Sequence, residues 1–315
     1  MLLNSPRVQQ KASVLLATEL ENHIGTRVSL GGVRWLFPTD LVIDSLTIDD
    51  QEGEQLLAIN RLAAKIEWGP LLRHRRISVR NIRLFGPEIN LYEIDDEGKY
   101  NYQFLIDAFA SKEKKKKKPL NLSLRVNTLI MRDGKVRHQG SSLPDFNIEK
   151  LSTQFALKEL STDSVSLIVR QLGFKEQSGL QLDNLYFRLV GNPQGITLAN
   201  FQLDMPHSTL RLDTIWAAYS TDKLPSSIVY KGGIRPTSYF TPSDFSFALP
   251  QLKGITERVS LGCDFIGSSS RIHIRELDIH SLHRDLKLNM RGKVENLPSS
   301  NNERQVPLHA SIQLS

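Results

Sequence analysis

The apolar residues of this chain alternate in strand phase, skip one position, and alternate again. Written h-x-h-x-x-h-x-h, the pattern occurs at Leu41, Ile43, Leu46, Ile48; at Leu57, Ile59, Leu62, Ala64; and at Ile77, Val79, Ile82, Leu84. It returns at Leu124, Val126, Leu129, Met131; at Leu180, Leu182, Leu185, Phe187; at Ile196, Leu198, Phe201, Leu203; and at Ile272, Ile274, Leu277, Ile279, with a partial copy at Phe146, Ile148, Leu151. A strand sends successive side chains to opposite faces, so one extra residue would turn every later apolar group the wrong way. A β-bulge absorbs that residue and keeps both halves on one buried face. A tight turn at each x-x is the alternative, and pairs such as Arg80-Asn81 or Asp183-Asn184 permit either. Copies spaced by about 16–22 residues predict a repetitive all-β array.

Many copies precede a turn signal and a second alternating run. Examples are Ile89 and Leu91 after Gly86-Pro87, Val136 after Asp133-Gly134, Leu210 and Leu212 after Pro206, and Leu286, Leu288 and Met290 after 283–285. Before the array, Ser5 as N-cap, Pro6 and Gly25 bound a helix carrying Val8, Ala12, Leu15, Leu16 and Leu20 at helical spacing. The organisation expected is a helix over 5–24, a first β block over 25–110, a lysine-rich loop over 111–119, and further β repeats over 120–315. Residues 68–76 break the alternation, Tyr102–Ala110 reads as a short amphipathic helix, and Ser220–Gly254, rich in Pro, Ser and Gly, is expected to be the least regular stretch. The Leu-Leu before the helix signal and the alternating run at the other end read as the cut ends of a longer protein.

The net charge of +6 points away from nucleic acid, because the run at Lys112–Lys118 holds six lysines and one glutamate. A nucleic-acid footprint spreads its cations over a folded face. No apolar run approaches the ~20 residues of a membrane span, and the single cysteine, Cys263, excludes a disulfide framework and reads as a core thiol. Signatures of nucleophilic, phosphate-binding and zinc chemistry are absent. His273, Asp278, His280, His283 and Asp285 read as a solvent-facing strand and hairpin rather than a metal site, and the acidic turns 49–53 and 95–98 lack calcium-loop spacing. No enzyme, no cofactor and no metal is the resulting expectation; a β-helical glycan enzyme with paired carboxylates on a strand face is the least favoured alternative.

Several blocks in order are similar to the N-terminal periplasmic part of the AsmA-like superfamily, closest to its TamB members. They are ELENHIGTRVSLGGV (19–33), LVIDSLTIDDQEGEQLLAI (41–59), WGPLLRHRRISVRNIRLFGPEINLYE (68–93), EGKYNYQFLIDAF with its lysines (97–118) and SLRVNTLIMRDGKVRHQ (123–139). The resemblance implies an elongated, repetitive antiparallel β-sheet curled into an open, taco-like groove with an apolar interior, capped by the N-terminal helix. It implies a location in the periplasm of a Gram-negative bacterium and partners of three kinds. These are phospholipids, the inner membrane through an anchor helix missing from this sequence, and an outer-membrane TamA-like barrel through a missing C-terminal region.

On that basis the expected function is passive carriage of phospholipid acyl chains between the two membranes. The expected groove residues are Ile77, Val79, Ile82, Leu84, Ile89, Leu91, Leu124, Val126, Leu180, Leu182, Leu185 and Phe187. Taken alone, the residues favour a dry core facing a second sheet; the family resemblance reverses that preference. An assembly chaperone that captures client strands by β-augmentation is the alternative function.

Overall fold

A computed structural model of the chain describes residues 6–36, 39–67, 76–94, 99–110, 121–123, 127–140, 145–160, 164–219, 228–281, 286–295 and 309–314. The chain is mainly β, opened by one helix, as the alternation and the helix signals predict. Helix α1 (Pro6–Ile24) closes at Gly25, whose φ of +84° lets its N–H reach the Glu21 carbonyl at 2.8 Å. The fold divides into two units, Met1–Ala156 with Phe174–Ser178, and Leu157–Gly173 with Gly179–Ser315.

In the first unit, β1 (Val28–Leu36), β2 (Asp40–Asp49), β3 (Gln55–Glu67) and β4 (Arg76–Tyr92) pair antiparallel in chain order. A crossover follows, containing α2 (Gln103–Ala110), where the sequence predicts its second helix. The chain then returns parallel to β4 as β5 (Asn121–Ser123) and β6 (Thr128–Gln139), and β7 (Phe146–Leu160) pairs antiparallel with β6. The expected all-antiparallel sheet is therefore corrected to a mixed one. A hairpin can only join antiparallel neighbours, whereas the long helical crossover after β4 permits a parallel return.

The apolar positions line up across these strands. Val33, Ile43, Leu62, Leu84 and Met131 form one directly paired row, and Val28, Ile48, Leu57, Ile89, Val136 and Ile148 form another. Leu16, Leu20 and Ile24 of α1, with Phe104 and Leu105 of α2, pack on the cluster of Val28, Val33, Ile43, Leu46, Ile48 and Ile59. The apolar face of this unit thus has a helical cover.

The slips are resolved in two ways. At Arg80-Asn81 the register of β4 jumps against β3, between the pairs Lys65–Asn81 and Ile66–Val79, which is the bulge the pattern predicts. The slips of β2 and β3 instead face each other. Asp44–Arg61 and Leu46–Ile59 stay in register, so neither strand leaves a residue over, and Ser45 takes the left-handed conformation at φ +56°. Gly86 (φ +58°) and Asp133 (φ +53°) do the same in β4 and β6, between the pairs Phe85–Arg132 and Glu88–Lys135. Gly86-Pro87 and Asp133-Gly134, expected as turns, therefore lie inside continuous strands. A residue with positive φ shifts the phase without reversing the chain, and Pro87 stays paired with Ile59.

The acidic turn after β2 is a structural knot. Asp50, 2% exposed, accepts bonds on its carboxylate from Tyr92 Oη (2.5 Å), Asn101 Nδ2 (3.2 Å) and the N–H groups of Glu52 (3.0 Å) and Glu54 (2.9 Å). Asn101, fully buried, also donates to the Asn90 carbonyl at 3.0 Å and accepts from the Tyr92 N–H at 3.2 Å. These bonds tie the β2–β3 turn and the end of β4 to the segment that starts α2, which sets the cover on the sheet. Burial opposes ionisation of Asp50, but its hydrogen bonds from Tyr92, Glu54, Asn101 and Glu52 outweigh that and hold its carboxyl below 3.8. Burial, then the bond to Asp50, pushes Tyr92 up to about 12.

β8 (Val165–Glu176), whose residues as far as Gly173 belong to the second unit, pairs there antiparallel with β10 (Asn184–Asn192), which follows the two-residue β9 (Gln181–Leu182). Next come β11 (Gly195–Asp204), the short β12 (Thr209–Arg211) and β13 (Ile215–Ala218), β14 (Val229–Phe240), β15 (Val259–Ser268), β16 (Arg271–Ser281), β17 (Lys287–Glu295) and β18 (His309–Leu314), all antiparallel. Among the described residues of the stretch expected to be least regular, β14 occupies twelve, followed by short 3-10 turns at Pro242–Phe245 and Pro250–Leu252. The lysine run, the turn at 95–98 and most of 68–76 lie outside the described residues.

Two outcomes are expected in chemical denaturation. Gly86→Ala destabilises by about 1–2 kcal/mol, because a Cβ is disfavoured at positive φ and would meet the Asn60 side chain, whereas Ser45→Gly stabilises by up to about 1 kcal/mol. Asp50→Ala costs about 1–3 kcal/mol at neutral pH by leaving buried donors unpaired. Since the Asp50 pKa is lowered on folding, its contribution is present above the ordinary value of 3.8 and fades as pH falls through the lowered value. The gap between wild type and Asp50→Ala should therefore narrow on the acid side of 3.8.

Candidate functional site

The second unit carries two rows of apolar residues that cross eight chain segments. The first runs Leu167, Leu189, Leu198, Ile215, Gly232, Phe265, Ile274, Gly292. Consecutive members are direct cross-strand partners, except that Ile215 and Phe265 meet over Gly232, where an added Cβ would contact both side chains. The second runs Val169, Phe187, Phe201, Leu212, Ile234, Cys263, Leu277, Met290. Its early links are the Phe187–Phe201 ring contact at 6.3 Å and the bond from the Leu212 N–H to the Phe201 carbonyl at 3.2 Å. Residues opposite one another in adjacent strands share a face, so both rows lie on one side of the unit. Seven strand spacings of ~4.8 Å give each row a length of roughly 34 Å.

Bulges keep the rows unbroken. The extra residue of β11 is absorbed between Ala199 and Gln202, where Asn200 has φ +56°. In β16 the register jumps against both neighbours at Arg275-Glu276, so Ile274 and Leu277 remain on one face. Cys263, in the second row, has its thiol pushed above 9.0 by burial, with Asp264 adding to the shift. It therefore stays neutral at physiological pH and the row holds no charge. Polar groups stand on the opposite face, including the ion pair Arg275–Asp264 at 3.7 Å and the contact of His280 Nδ1 with Asp278 at 3.4 Å.

These rows differ from those of the first unit in cover. Among the described residues of the second unit, Val169 is the one buried hydrophobic side chain, at 8% exposed. Leu167, Phe187, Leu189, Leu198, Phe201, Phe265, Ile274 and Leu277 are half-buried. No helix is described over them. In the helix-covered rows of the first unit Leu57, Leu62, Leu84, Ile89, Met131 and Ile148 are half-buried as well. There, however, Val28, Val33, Ile43, Ile48 and Val136 form a buried centre, to which the second unit offers only Val169 among its described hydrophobic side chains.

The expected groove residues consequently separate. Leu180, Leu182, Leu185 and Phe187 lie in the second unit and are half-buried, with Leu185 opposite Leu203 and Phe187 within the second row. Ile82, Leu84, Ile89 and Leu91 lie in the first unit; Leu84 packs on the helix-covered cluster, and Leu91 stands opposite buried His138, which stacks on Phe146 at 4.8 Å. Ile77 and Val79 are placed by backbone pairing with Leu122 and Ile66, their side chains lying outside the described residues, as Leu124 and Val126 do entirely. Leu189, Ile215, Ile234, Phe265 and Met290 were not among the expected groove residues. Simple alternation in their strands was the available signal, without the slip that marked the other copies. Among the described residues no group of three His, Cys, Asp or Glu is placed to hold a metal ion, and His283 and Asp285 lie outside them.

Comparison with known protein families, with curated proteins and with solved structures finds no match to this chain.

The difference in cover is measurable. Truncating Ile59, 3% exposed, to Ala should cost about 2–5 kcal/mol. Half-buried Leu198→Ala and Leu277→Ala should each cost at most about 1–1.5 kcal/mol, because each is less completely removed from solvent than Ile59 and leaves no closed cavity. Hydrogen exchange resolved by unit checks this; equal losses at the three positions would show that the rows are a closed core.

Proposed function

We propose that this chain is a periplasmic segment of an AsmA/TamB-like envelope protein, and that the apolar face of its second unit carries phospholipid acyl chains passively between inner and outer membrane. The observation that carries the reading is the pair of apolar rows, roughly 34 Å long by strand spacing, half-buried with no described helix over them, and free of charge. That length exceeds one leaflet's share of a hydrocarbon core ~30 Å thick.

The mechanism needs no catalyst. An acyl chain lying across the strands gains up to ~0.8 kcal/mol for each CH₂ removed from water, and its head group stays in solvent at the margin of the face. Movement requires many positions of similar affinity, since one deep pocket would trap the chain. Rows built from Leu, Ile, Phe, Val, Met and Gly, repeated strand after strand, meet that requirement. The partners that go with this reading are the inner membrane and a TamA-like outer-membrane barrel.

A photocrosslinking amino acid placed at Leu185, Leu277 or Leu84 tests it, with adducts identified by mass spectrometry after incubation with phospholipid vesicles. Leu185 and Leu277 should yield lipid adducts, Leu84 under its helical cover should yield intramolecular ones, and Leu198→Glu should abolish the lipid adducts at both open positions. Intramolecular adducts alone at Leu185 and Leu277 would overturn the proposal.

A further inference from the structure

We propose that the face of β3, β4 and β6 turned away from the helical cover docks on an anionic phospholipid surface. Phe85 of β4 stands in direct register with Arg61 of β3 on one side and Arg132 of β6 on the other. Arg83, two residues earlier on the same face, lies between Ala63 and Ile130. Lys65 follows Ala63 by two residues along β3, so four cations surround a patch made of Phe85, Ala63 and Ile130.

Two features set this patch apart from an ordinary wet strand face. Phe85 is 38% exposed at its centre, with cations rather than apolar neighbours directly opposite it. The charges are also largely uncompensated. Arg61 shares the Asp44 carboxylate with Arg34, at 2.9 and 2.7 Å, and hydrogen bonds from those two guanidiniums keep the carboxyl ionised below its ordinary pKa against the opposing effect of burial. Glu88 is held by Lys135 at 2.7 Å. Arg83 and Arg132 form no ion pair among the described residues, and Lys65, although directly opposite Asp40 in β2, forms none with it.

A phospholipid surface answers both features together. Phosphates over Arg83, Arg132 and Lys65 satisfy the charge, and the Phe85 ring enters the interfacial layer that aromatic side chains favour. The array, two strand spacings or roughly 10 Å across, spans several cations and so suits a laterally extended partner better than a single phosphate. The proposal does not depend on acyl carriage by the second unit.

The test uses the full chain with Lys114–Lys118 replaced by serine, so that this run does not mask the patch. Co-sedimentation is measured with vesicles of phosphatidylcholine alone and of phosphatidylcholine mixed with phosphatidylglycerol. Binding is expected only to the mixed vesicles. Arg83→Gln and Arg132→Gln should each weaken it about five-fold, Arg83→Lys should restore it, and Phe85→Ser should weaken it while leaving its salt dependence unchanged. Circular dichroism melts unchanged from the parent show that the variants are folded. No binding to the mixed vesicles, equal binding to both, binding indifferent to the two arginines, or displacement of the vesicles by a DNA duplex would overturn the proposal.

Discussion

A strand carries its side chains on alternate faces, and a sheet with one apolar face fails wherever that alternation loses a step. The rest of this fold follows from how the lost steps are restored. Ser45, Gly86, Asp133, Lys150 and Asn200 sit at positive φ inside strands, at positions where neighbouring strands slip together or leave one residue over. Side chains other than glycine enter that region at a cost of roughly 1–2 kcal/mol each. The cost is offset because one misplaced phase would turn several apolar groups of the same strand into water.

The same strand grammar has two outcomes in one chain. In the first unit the apolar rows are closed by α1 and α2, and Asp50, Tyr92 and Asn101 fix the second of these helices through bonds that reach from the β2–β3 turn to its start. In the second unit comparable rows stay half-buried, with no described helix over them. The unit with helical cover supplies a conventional core and its stability. The other keeps an apolar surface that a monomeric soluble protein would normally hide, and this carries the proposed function.

Much of this was legible in the sequence because it depends on local rules. Pro6 and Gly25 bounded α1, the YQFLIDAFA segment gave α2, and the h-x-h-x-x-h-x-h copies marked the slipped strands. What escaped depends on distant pairing. Nothing near Gly86-Pro87 says that Gly86 will adopt positive φ within a strand instead of opening a turn; that is decided by β3 and β6 on either side. The parallel pairing of β4 with β6 was equally hidden, since it depends on where a long crossover returns. With it was hidden the meeting of Phe85 with Arg61 and Arg132, which lie far apart in the chain. The sequence showed an almost neutral body beside one lysine run, and only the pairing gathers three of its arginines around one ring. Of the expected groove residues, Phe187 lies in one of the open rows and Leu185 stands opposite Leu203, while Leu84 packs under a cover that alternation cannot reveal.

The left-handed residues also give the sheet a means of counting. A strand that merely alternates can slide by two residues along its neighbour and still present the same face, so many registers are nearly degenerate. A slide of two around Ser45, or around the Asn200 step, would set a kink against straight backbone and break the ladder on both sides. Each kink is therefore a fiducial mark that only one alignment satisfies. A long array of similar strands, prone to mispair while folding, is given a single correct way to zip.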